Sequence, residues 1–245
     1  MAMSLTDLQD IQRQRNFNTQ GNWERSQAHR EQITAKLLER DSESLLRVFG
    51  AGNSNDLDLK QLSRHYTQIE LVDIDSEALA YGFQSQGISD KDGVELLAGV
   101  DLSRHKFQPT RPASTTVSAC LFTQLIEQQT VDHNRNPEEV ARFRENHLKM
   151  LIESTQPAGR VFFITDIVSD YTARQLPYVS SDQLNGFLSE LVASNNFFTG
   201  TNPFAIQKQL DSFVQVESHH LHDAWIWQLG ARRFAVYAIE IQIVA

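Results

Sequence analysis

The stretch LLRVFGAGNSNDLDL, residues 45–59, decides the fold of this 245-residue chain. An apolar run stops at Gly50-Ala51-Gly52, a polar turn follows, and hydrophobic residues resume at Leu57. A short apolar run that ends at glycine is typical of a buried strand. A Gly-x-Gly turn before a helix lets a ligand approach backbone N–H groups without interference from Cβ atoms. The segment therefore predicts a strand, a ligand-binding turn and a helix, in that order.

Strands and helices alternate along most of the remaining chain. Four further strand candidates are QIELVDID (68–75), GVELLAGVDL (93–102), STTVSACLFTQLI (114–126, which continues into a helix) and GRVFFITDIV (159–168). Helices are predicted between them over 23–40, 55–66, from Ser76 as a cap, and over NPEEVARFRENHLKMLIEST (136–155), which Asn136-Pro137 begins. This alternation favours a mainly parallel, doubly wound sheet.

The C-terminal tail departs from the alternation. Residues 213–218 and 224–229 are both candidates for the penultimate strand, and RRFAVYAIEIQIV (232–244) is the last one, with no helix between them. Adjacent extended segments of this kind predict an antiparallel pair that closes one sheet edge. We expect a single domain over 1–245, with a helical cap or lid over 1–42, a core over 43–245 and an insertion at about 170–213.

Composition narrows the class of protein and its partners. The chain has 40% hydrophobic and 22% charged residues, an ordinary globular profile. Its formal net charge of −9 argues against nucleic acid as the main partner. No apolar run approaches the length of a membrane span, and the N-terminus has no signal-peptide apolar region. Cys120 is the only cysteine, so no internal disulfide forms and a cytoplasmic location is expected.

The spacing after the glycine turn indicates a nucleotide-like cofactor. Asp73 ends the second strand about 20 residues after Gly52, where an acid accepts hydrogen bonds from ribose hydroxyls. A nicotinamide dinucleotide and S-adenosylmethionine both satisfy this spacing. The dinucleotide fingerprint, however, needs a third glycine at the position of Asn55. The polar turn suits the ammonium and carboxylate of an amino acid better than two phosphates, and Asp101 is placed to accept from an adenine amino group.

At this point the sequence resembles the class I S-adenosylmethionine-dependent methyltransferases. The resemblance rests on VFGAGNSNDLDL, IELVDID, LLAGVDL, VSACLFTQLIE and GRVFFITDIVS, which follow one another in the family's order from Leu45 to Val244. It implies an α/β, Rossmann-like doubly wound fold with a mainly parallel seven-stranded sheet and an antiparallel C-terminal strand. It also implies S-adenosylmethionine as the cofactor and methyl transfer to a small molecule as the activity.

The resemblance also implies a set of cofactor-binding residues. The glycine turn would contact the methionine end, Asp73 the ribose, and the ends of the third and fourth strands the adenine edge and the methionine amino group. The implied residues are Gly50, Ala51, Gly52, Asn53, Asp73, Ile74, Asp101, Leu102, Cys120, Leu121 and Gln124.

Two positions depart from the family pattern. The acid that often stands two residues before the first glycine is Val48 here, and the third glycine of the family turn is Ser54. Asn53, Asp56 or a residue of the cap must then hold the methionine ammonium.

No residue is assigned a catalytic role, because methyl transfer from a sulfonium needs a general base only when the nucleophile carries a proton of high pKa. His219, His220, His222 and Asp223 are interpreted as a solvated loop and not as a metal site. Asn202-Pro203-Phe204 is interpreted as a helix start, which removes support for methylation of adenine or glutamine amides.

The N-terminal segment GNWERSQAHRE supplies candidates for the wall of a substrate pocket, namely Trp23, His29 and Arg30. A helix there places Trp23 and Arg30 near one face and His29 on the opposite one. Two other functions stay open beside methyl transfer. One is an NAD-dependent oxidoreductase, and the other is a cofactor-binding module without catalysis.

Overall fold

The computed structural model describes residues 5–130 and 136–245. One sheet forms its centre. The strands are β1 (Glu43–Phe49), β2 (Tyr66–Asp73), β3 (Val94–Ala98), β4 (Ala113–Ala119), β5 (Thr155–Ser169), β6 (Val216–Leu221), β7 (Trp225–Leu229) and β8 (Arg232–Ile243). The α-helices are α1 (Leu5–Thr19), α2 (Gln27–Leu37), α3 (Leu59–His65), α4 (Ser76–Ser85), α5 (Phe122–Thr130), α6 (Pro137–Glu153), α7 (Leu184–Ala193) and α8 (Pro203–Leu210).

The strand order is β3-β2-β1-β4-β5-β8-β6, and β7 also pairs with β8. Strands β1 to β5 are parallel to one another, whereas β8 runs antiparallel to β5, β6 and β7. The predicted fold class, a Rossmann-like, mainly parallel sheet with an antiparallel C-terminal strand, is therefore confirmed.

Two segments were candidates for the penultimate strand, and the structure shows that both pair with β8. β6 pairs with the C-terminal half of β8 and β7 with its N-terminal half, for example His219 opposite Ile241 and Trp225 opposite Val236. Both candidates thus contribute a strand, although β6 covers 216–221 and not the predicted 213–218. Together the two strands fill one of the seven positions across the sheet. His222, between them, still donates its backbone N–H to the carbonyl of Ala238 at 2.9 Å.

Helices cover both faces of the sheet, which makes three layers. Leucine and isoleucine side chains of α2, α3 and α4 belong to one buried cluster, and those of α5, α6, α7 and α8 belong to the other. Residues 161–164 of β5 alternate between the clusters, with Phe162 in the first and Phe163 in the second. A strand that is buried on both faces is apolar at successive positions, as these four are.

Three helix starts differ from the sequence prediction. The first predicted helix begins at Gln27 and not at Trp23, which lies in the preceding turn. The second begins at Leu59 and not at Asn55, because the Asp58 carboxylate accepts from the backbone N–H of Gln61. The cap of α4 is Asp75 rather than Ser76, since a carboxylate accepts from two backbone N–H groups there.

The segment between β5 and β6 contains α7 and α8. Asn202 caps α8, and its side-chain oxygen accepts from the backbone N–H of Phe204 at 3.0 Å and of Ala205 at 3.3 Å. Asn202-Pro203 is therefore a helix start, as predicted. No helix within the described ranges is long and apolar enough to cross a membrane.

A buried ion pair crosses the sheet between β1 and β2. Arg47, which is fully buried, donates from Nε to Glu70 Oε2 at 2.7 Å. Its other nitrogens donate to the carbonyls of Ser154 and Arg111 at 2.9 and 2.8 Å. The guanidinium thus ties β1 to β2 and to the segments that precede β4 and β5.

Candidate functional site

The glycine turn lies between the carboxyl ends of β1, β2 and β4. Gly50 and Gly52 have φ angles of 78° and 46°, in the left-handed region that favours glycine. The backbone N–H of Gly50 donates to the carbonyl of Val72 at 2.9 Å. A Cβ on Gly50 would lie 2.8 Å from the Cβ of Leu121, so β4 packs directly on the turn.

Ser54 keeps the conformation of the glycine that it replaces in the family pattern. Its φ is 52°, and its hydroxyl is buried without a hydrogen-bond partner. Serine in place of glycine therefore adds a buried hydroxyl to the turn and leaves its backbone conformation unchanged. Gly82 of α4 packs against the same place, where a Cβ would lie only 2.5 Å from the carbonyl oxygen of Asn53.

Asp73 joins the turn to the end of β2. Its Oδ2 accepts from the backbone N–H of Gly52 at 2.9 Å, and its Oδ1 accepts from that of Asp75 at 2.9 Å. The side chain is buried, and this burial raises its pKa to about 6. Because each carboxylate oxygen can accept more than one hydrogen bond, ribose hydroxyls can still be added to this arrangement.

The N-terminal helix α1 lies over the turn and is held there by polar contacts. Asn16 Nδ2 donates to Asp75 Oδ2 at 2.9 Å, and the carbonyl of Asn16 accepts from Asn53 Nδ2 at 2.7 Å. Asn55 Nδ2 donates to the carbonyl of Thr19 at 2.8 Å. Residues 1–42 were predicted to act as a lid, and α1 covers the turn that such a lid would close.

The ends of β3 and β4 carry the other implied cofactor-binding residues. Asp101 accepts from the backbone N–H of Ser103 at 3.0 Å and pairs with Arg104 at 3.0 Å. Gln124 Nε2 donates to the carbonyl of Cys120 at 3.2 Å. Leu102 and Cys120 are buried, whereas the following residues are partly exposed: Ile74, Asp101, Leu121 and Gln124.

His29 is buried at the interface between α2 and β7. Its Nδ1 accepts from the indole N–H of Trp225 at 2.8 Å, and its ring stacks on Trp227 with 4.7 Å between the centroids. Burial lowers the pKa of His29 to about 3, so the ring is neutral. Since Nδ1 accepts, Nε2 carries the proton, and it lies 3.7 Å from Asp56 Oδ1 and 3.9 Å from Cys120 Sγ.

Trp23, which is partly buried, and Arg30, which is buried, lie together beside the loop that follows the glycine turn. The Arg30 guanidinium lies 3.4 Å above the centre of the Trp23 ring. It also donates to the carbonyls of Trp23 and Asn55 at 2.8 and 3.0 Å. A shared helix face was predicted for Trp23 and Arg30, but Trp23 precedes α2, and the two side chains meet instead through the contact of the guanidinium with the ring. His29 points inward.

Two carboxyl groups act on Cys120 at the carboxyl end of β4, the buried Asp166 and the partly buried Asp56. Asp166, on β5, accepts from Thr123 Oγ1 at 2.6 Å, and burial raises its pKa to about 6. Burial raises the pKa of Asp56, in the loop before α3, to about 7. Burial first, then the charges of Asp56 and Asp166, raise the pKa of the Cys120 thiol well above its ordinary value.

The raised pKa of Asp56 gives the folding stability a pH dependence. Between about pH 4 and pH 7 the folded chain holds a proton on Asp56 that the unfolded chain has released, so this group's contribution to stability falls as the pH rises. Asp56→Asn removes this pH-dependent contribution to the folding stability. We expect the variant's stability relative to the wild type to increase by about 1–2 kcal/mol between pH 5 and pH 8, measured by urea unfolding. An identical difference at both values would contradict the expected pKa.

Several of these residues could not be found by sequence reasoning. Asn16 lies in a polar helix without an apolar stripe, and Trp225 was interpreted only as part of a packed strand. Asp166 carried a signal, because it is an acid inside an otherwise apolar strand. His29, Asp56 and Trp225 come together only when α2 packs on β7.

Four buried oxygen acceptors near the turn have no hydrogen-bond partner: Asn53 Oδ1, Ser54 Oγ, Asp56 Oδ1 and Gln124 Oε1. Unpaired buried acceptors suit a ligand that brings N–H or O–H donors, such as an amino acid or a ribose. They do not suit a pyrophosphate, which brings acceptors only. The residues present therefore fit S-adenosylmethionine better than a nicotinamide dinucleotide.

The histidine-rich segment was interpreted as a solvated loop, but His219 and His220 lie in strand β6, and the segment makes ordinary side-chain pairs. His219 Nε2 lies 2.9 Å from Asp211 Oδ1, and His222 Nε2 lies 3.2 Å from Glu240 Oε2. Within residues 5–130 and 136–245, no three histidine, cysteine, aspartate or glutamate side chains come together as a metal site would require.

Solved structures similar to this chain include methyltransferases. The N-methyltransferase NodS from Bradyrhizobium japonicum is 12% identical with a TM-score of 0.52, over 92% of this chain and 98% of that one. The magnesium protoporphyrin IX methyltransferase from Synechocystis, solved with bound SAH, is 11% identical with a TM-score of 0.51, over 89% and 83%. No protein-family model and no curated protein matches the sequence.

These similarities, together with the strand order and the glycine turn, define the class of fold. The chain has the fold of class I S-adenosylmethionine-dependent methyltransferases. At identities of 11–12% the likeness establishes the fold.

Proposed function

We propose that this protein transfers a methyl group from S-adenosylmethionine to a small-molecule acceptor. The observation that carries the proposal is the joint placement of the glycine turn, Asp73 and the unpaired acceptors at the carboxyl edge of a sheet with the methyltransferase strand order. Ligands of open α/β sheets bind at this edge. When bound, the cofactor supplies an activated methyl group on a sulfonium.

In the proposed reaction, the residues of this chain bind and orient the cofactor. Gly50, Ala51 and Gly52 would bring bare backbone to the methionine end, and Asp73 would accept from the ribose hydroxyls. Ile74, Asp101 and Leu102 would border the adenine, and Asn53, Cys120, Leu121 and Gln124 would border the amino-acid end. The N-terminal segment with Trp23, His29 and Arg30 would exclude water from the closed site.

Calorimetric titration with S-adenosylhomocysteine, and with NADH in parallel, tests the cofactor. We expect micromolar binding of the first and no binding of the second. The reverse result would favour an NAD-dependent oxidoreductase. Tight binding of S-adenosylhomocysteine without turnover on any acceptor would favour a cofactor-binding module that has no catalytic activity.

Asp73→Ala is expected to weaken the binding of S-adenosylhomocysteine by about 1.5–3 kcal/mol, because hydrogen bonds between ribose hydroxyls and a charged group are lost. Asp41→Ala, in the exposed segment before β1, is the matched control and should leave the affinity unchanged. An unchanged affinity of Asp73→Ala would remove Asp73 from the ribose site. Thermal unfolding of both variants separates this effect from a loss of folding.

The proposed acceptor is a small molecule rather than nucleic acid, and the proposed location is the cytoplasm. The formal net charge of −9 supports the first of these, since a negative field disfavours a polyanionic partner. The absence of any internal disulfide partner for Cys120 is compatible with the second. Filter binding of a labelled transfer-RNA mixture at low salt checks the first point.

A further inference from the structure

The cluster of His29, Asp56, Cys120 and Trp225 adjoins the proposed cofactor site, in which Cys120 borders the amino-acid end, and it has the features of a proton-accepting site. The inference from it rests on the proposed function. The four residues come from α2, the loop before α3, the residue after β4, and β7. Their contacts bring a carboxylate with one unpaired oxygen to the carboxyl edge of the sheet.

His29 is held in one tautomer and one orientation. Its Nδ1 accepts the indole proton of Trp225 at 2.8 Å, and the ring lies against Trp227. The proton is therefore on Nε2, which is directed at Asp56 and Cys120 at 3.7 and 3.9 Å. With its basic nitrogen already occupied, His29 cannot take a proton from a substrate. It can only orient a neighbour that does.

Asp56 is the neighbour that can accept a proton. Its Oδ1 is buried and has no hydrogen-bond partner, while 22% of the side chain remains exposed. The carboxylate thus has one oxygen near the His29 N–H and a surface that a ligand can reach. Burial keeps its pKa close to neutrality, the range in which a general base works best.

The charges around Asp56 favour a cationic ligand. Asp166 is the second carboxyl group beside Cys120, and it accepts from the neutral hydroxyl of Thr123. Arg30 is the cation that faces Asp56, but its guanidinium is engaged with the Trp23 ring and with two backbone carbonyls. The charges of Asp56 and Asp166 thus face one cation, Arg30, and this balance favours a protonated amine over an anion.

We propose that Asp56 takes the proton of the methyl acceptor, that His29 is the positioning residue for its carboxylate, and that the acceptor is a small molecule with a protonated amine at the reacting atom. The ammonium binds beside the carboxylate and gives one proton to it. The nitrogen lone pair then forms the bond to the methyl carbon, while the carbon–sulfur bond breaks and its electron pair stays on sulfur. The products are the acceptor as a methylated ammonium, Asp56 in its protonated form, and the cofactor product as a neutral thioether.

The indole N–H signals test this arrangement directly, because the chain has only three tryptophans. The protein is labelled with nitrogen-15, saturated with S-adenosylhomocysteine, and titrated from pH 5 to pH 9 with propylammonium chloride as the probe. The Trp225 signal should titrate near neutrality, since the charge of Asp56 reaches the indole through His29. Propylammonium should lower the midpoint by about one pH unit, because a bound cation favours the carboxylate.

Two variants and one anion serve as controls. Asp56→Asn should abolish the titration of the Trp225 signal and its response to propylammonium. Asp58→Asn, two residues further along the same loop, should preserve both, because asparagine also caps a helix well. Sodium propionate, of similar size and opposite charge, should leave the midpoint unchanged in the wild type.

The outcomes separate this inference from the proposed function. A Trp225 signal that does not titrate, that titrates equally in Asp56→Asn, or that ignores propylammonium overturns the role of Asp56. A wild-type protein that fails to bind S-adenosylhomocysteine instead counts against the cofactor. With any amine acceptor, and with S-adenosylmethionine kept saturating, Asp56→Asn should lower kcat/KM for the acceptor about 100-fold or more.

Discussion

Replacing Arg47 with alanine is expected to destabilise the protein by about 3–5 kcal/mol. Arg47 is fully buried and Glu70 nearly so, with 2.7 Å between Nε and Oε2. The substitution leaves the Glu70 carboxylate buried, where its one remaining ion pair is to the half-exposed Arg111 at 3.5 Å. It also removes the donors to the carbonyls of Ser154 and Arg111. Urea unfolding at pH 7 measures the loss.

The double variant Arg47→Met with Glu70→Leu is the informative control for Arg47→Ala. Because both charges are then removed, no carboxylate stays buried without its partner, and most of the lost stability should return. If the single and double variants are equally unstable, the loss comes from packing or from the two carbonyls and not from the unpaired charge. Binding of S-adenosylhomocysteine to the double variant shows whether the glycine turn, which follows β1, keeps its shape.

Gly82→Ala is expected to destabilise the protein by about 3 kcal/mol and to weaken the binding of S-adenosylhomocysteine. In most helices this change is stabilising, because alanine has the higher helix propensity. Here the new Cβ would lie 2.5 Å from the carbonyl oxygen of Asn53 and 2.9 Å from Ser54 Oγ. Backbone of the turn cannot yield as a flexible side chain can, so either α4 or the turn must move.

Gly186→Ala is the matched control for Gly82→Ala. Gly186 is also helical, but it is exposed on α7, and a Cβ there would meet no atom within 4 Å. We expect this variant to gain about 0.5–1 kcal/mol in stability and to bind the cofactor product normally. Equal effects at the two positions would show that α4 does not press on the turn. Thermal unfolding and calorimetry report both quantities on the same samples.

The strands of the sheet could be predicted from the sequence because a strand that is buried on both faces has apolar residues at successive positions. β5 contains the apolar run from Val161 to Ile164, and the glycine turn and Asp73 mark the ends of β1 and β2. The two halves of the penultimate strand could not be ranked, because each is short and both pair with β8. Only the pairing with β8 shows that β6 and β7 lie end to end at the same position in the strand order.

The surroundings of the candidate site were less accessible to sequence reasoning. Asn16 reaches the turn from a polar helix, where no hydrophobic period shows which side faces inward. The direction of His29 depends on how α2 docks against Trp225 and Trp227, and these lie about 200 residues later in the chain. Contacts between side chains that are distant in sequence leave no local pattern.

The interruption between β6 and β7 at the edge of the sheet affects how readily the protein can aggregate. An edge strand offers unpaired backbone groups on which another chain can add a strand. β6 carries the polar residues Glu217, His219 and His220, and the edge is interrupted before β7 begins. At the opposite edge, β3 has only five residues and exposes Glu95. Both edges are therefore poor templates for the growth of intermolecular β-aggregates, although the strands between them are strongly apolar.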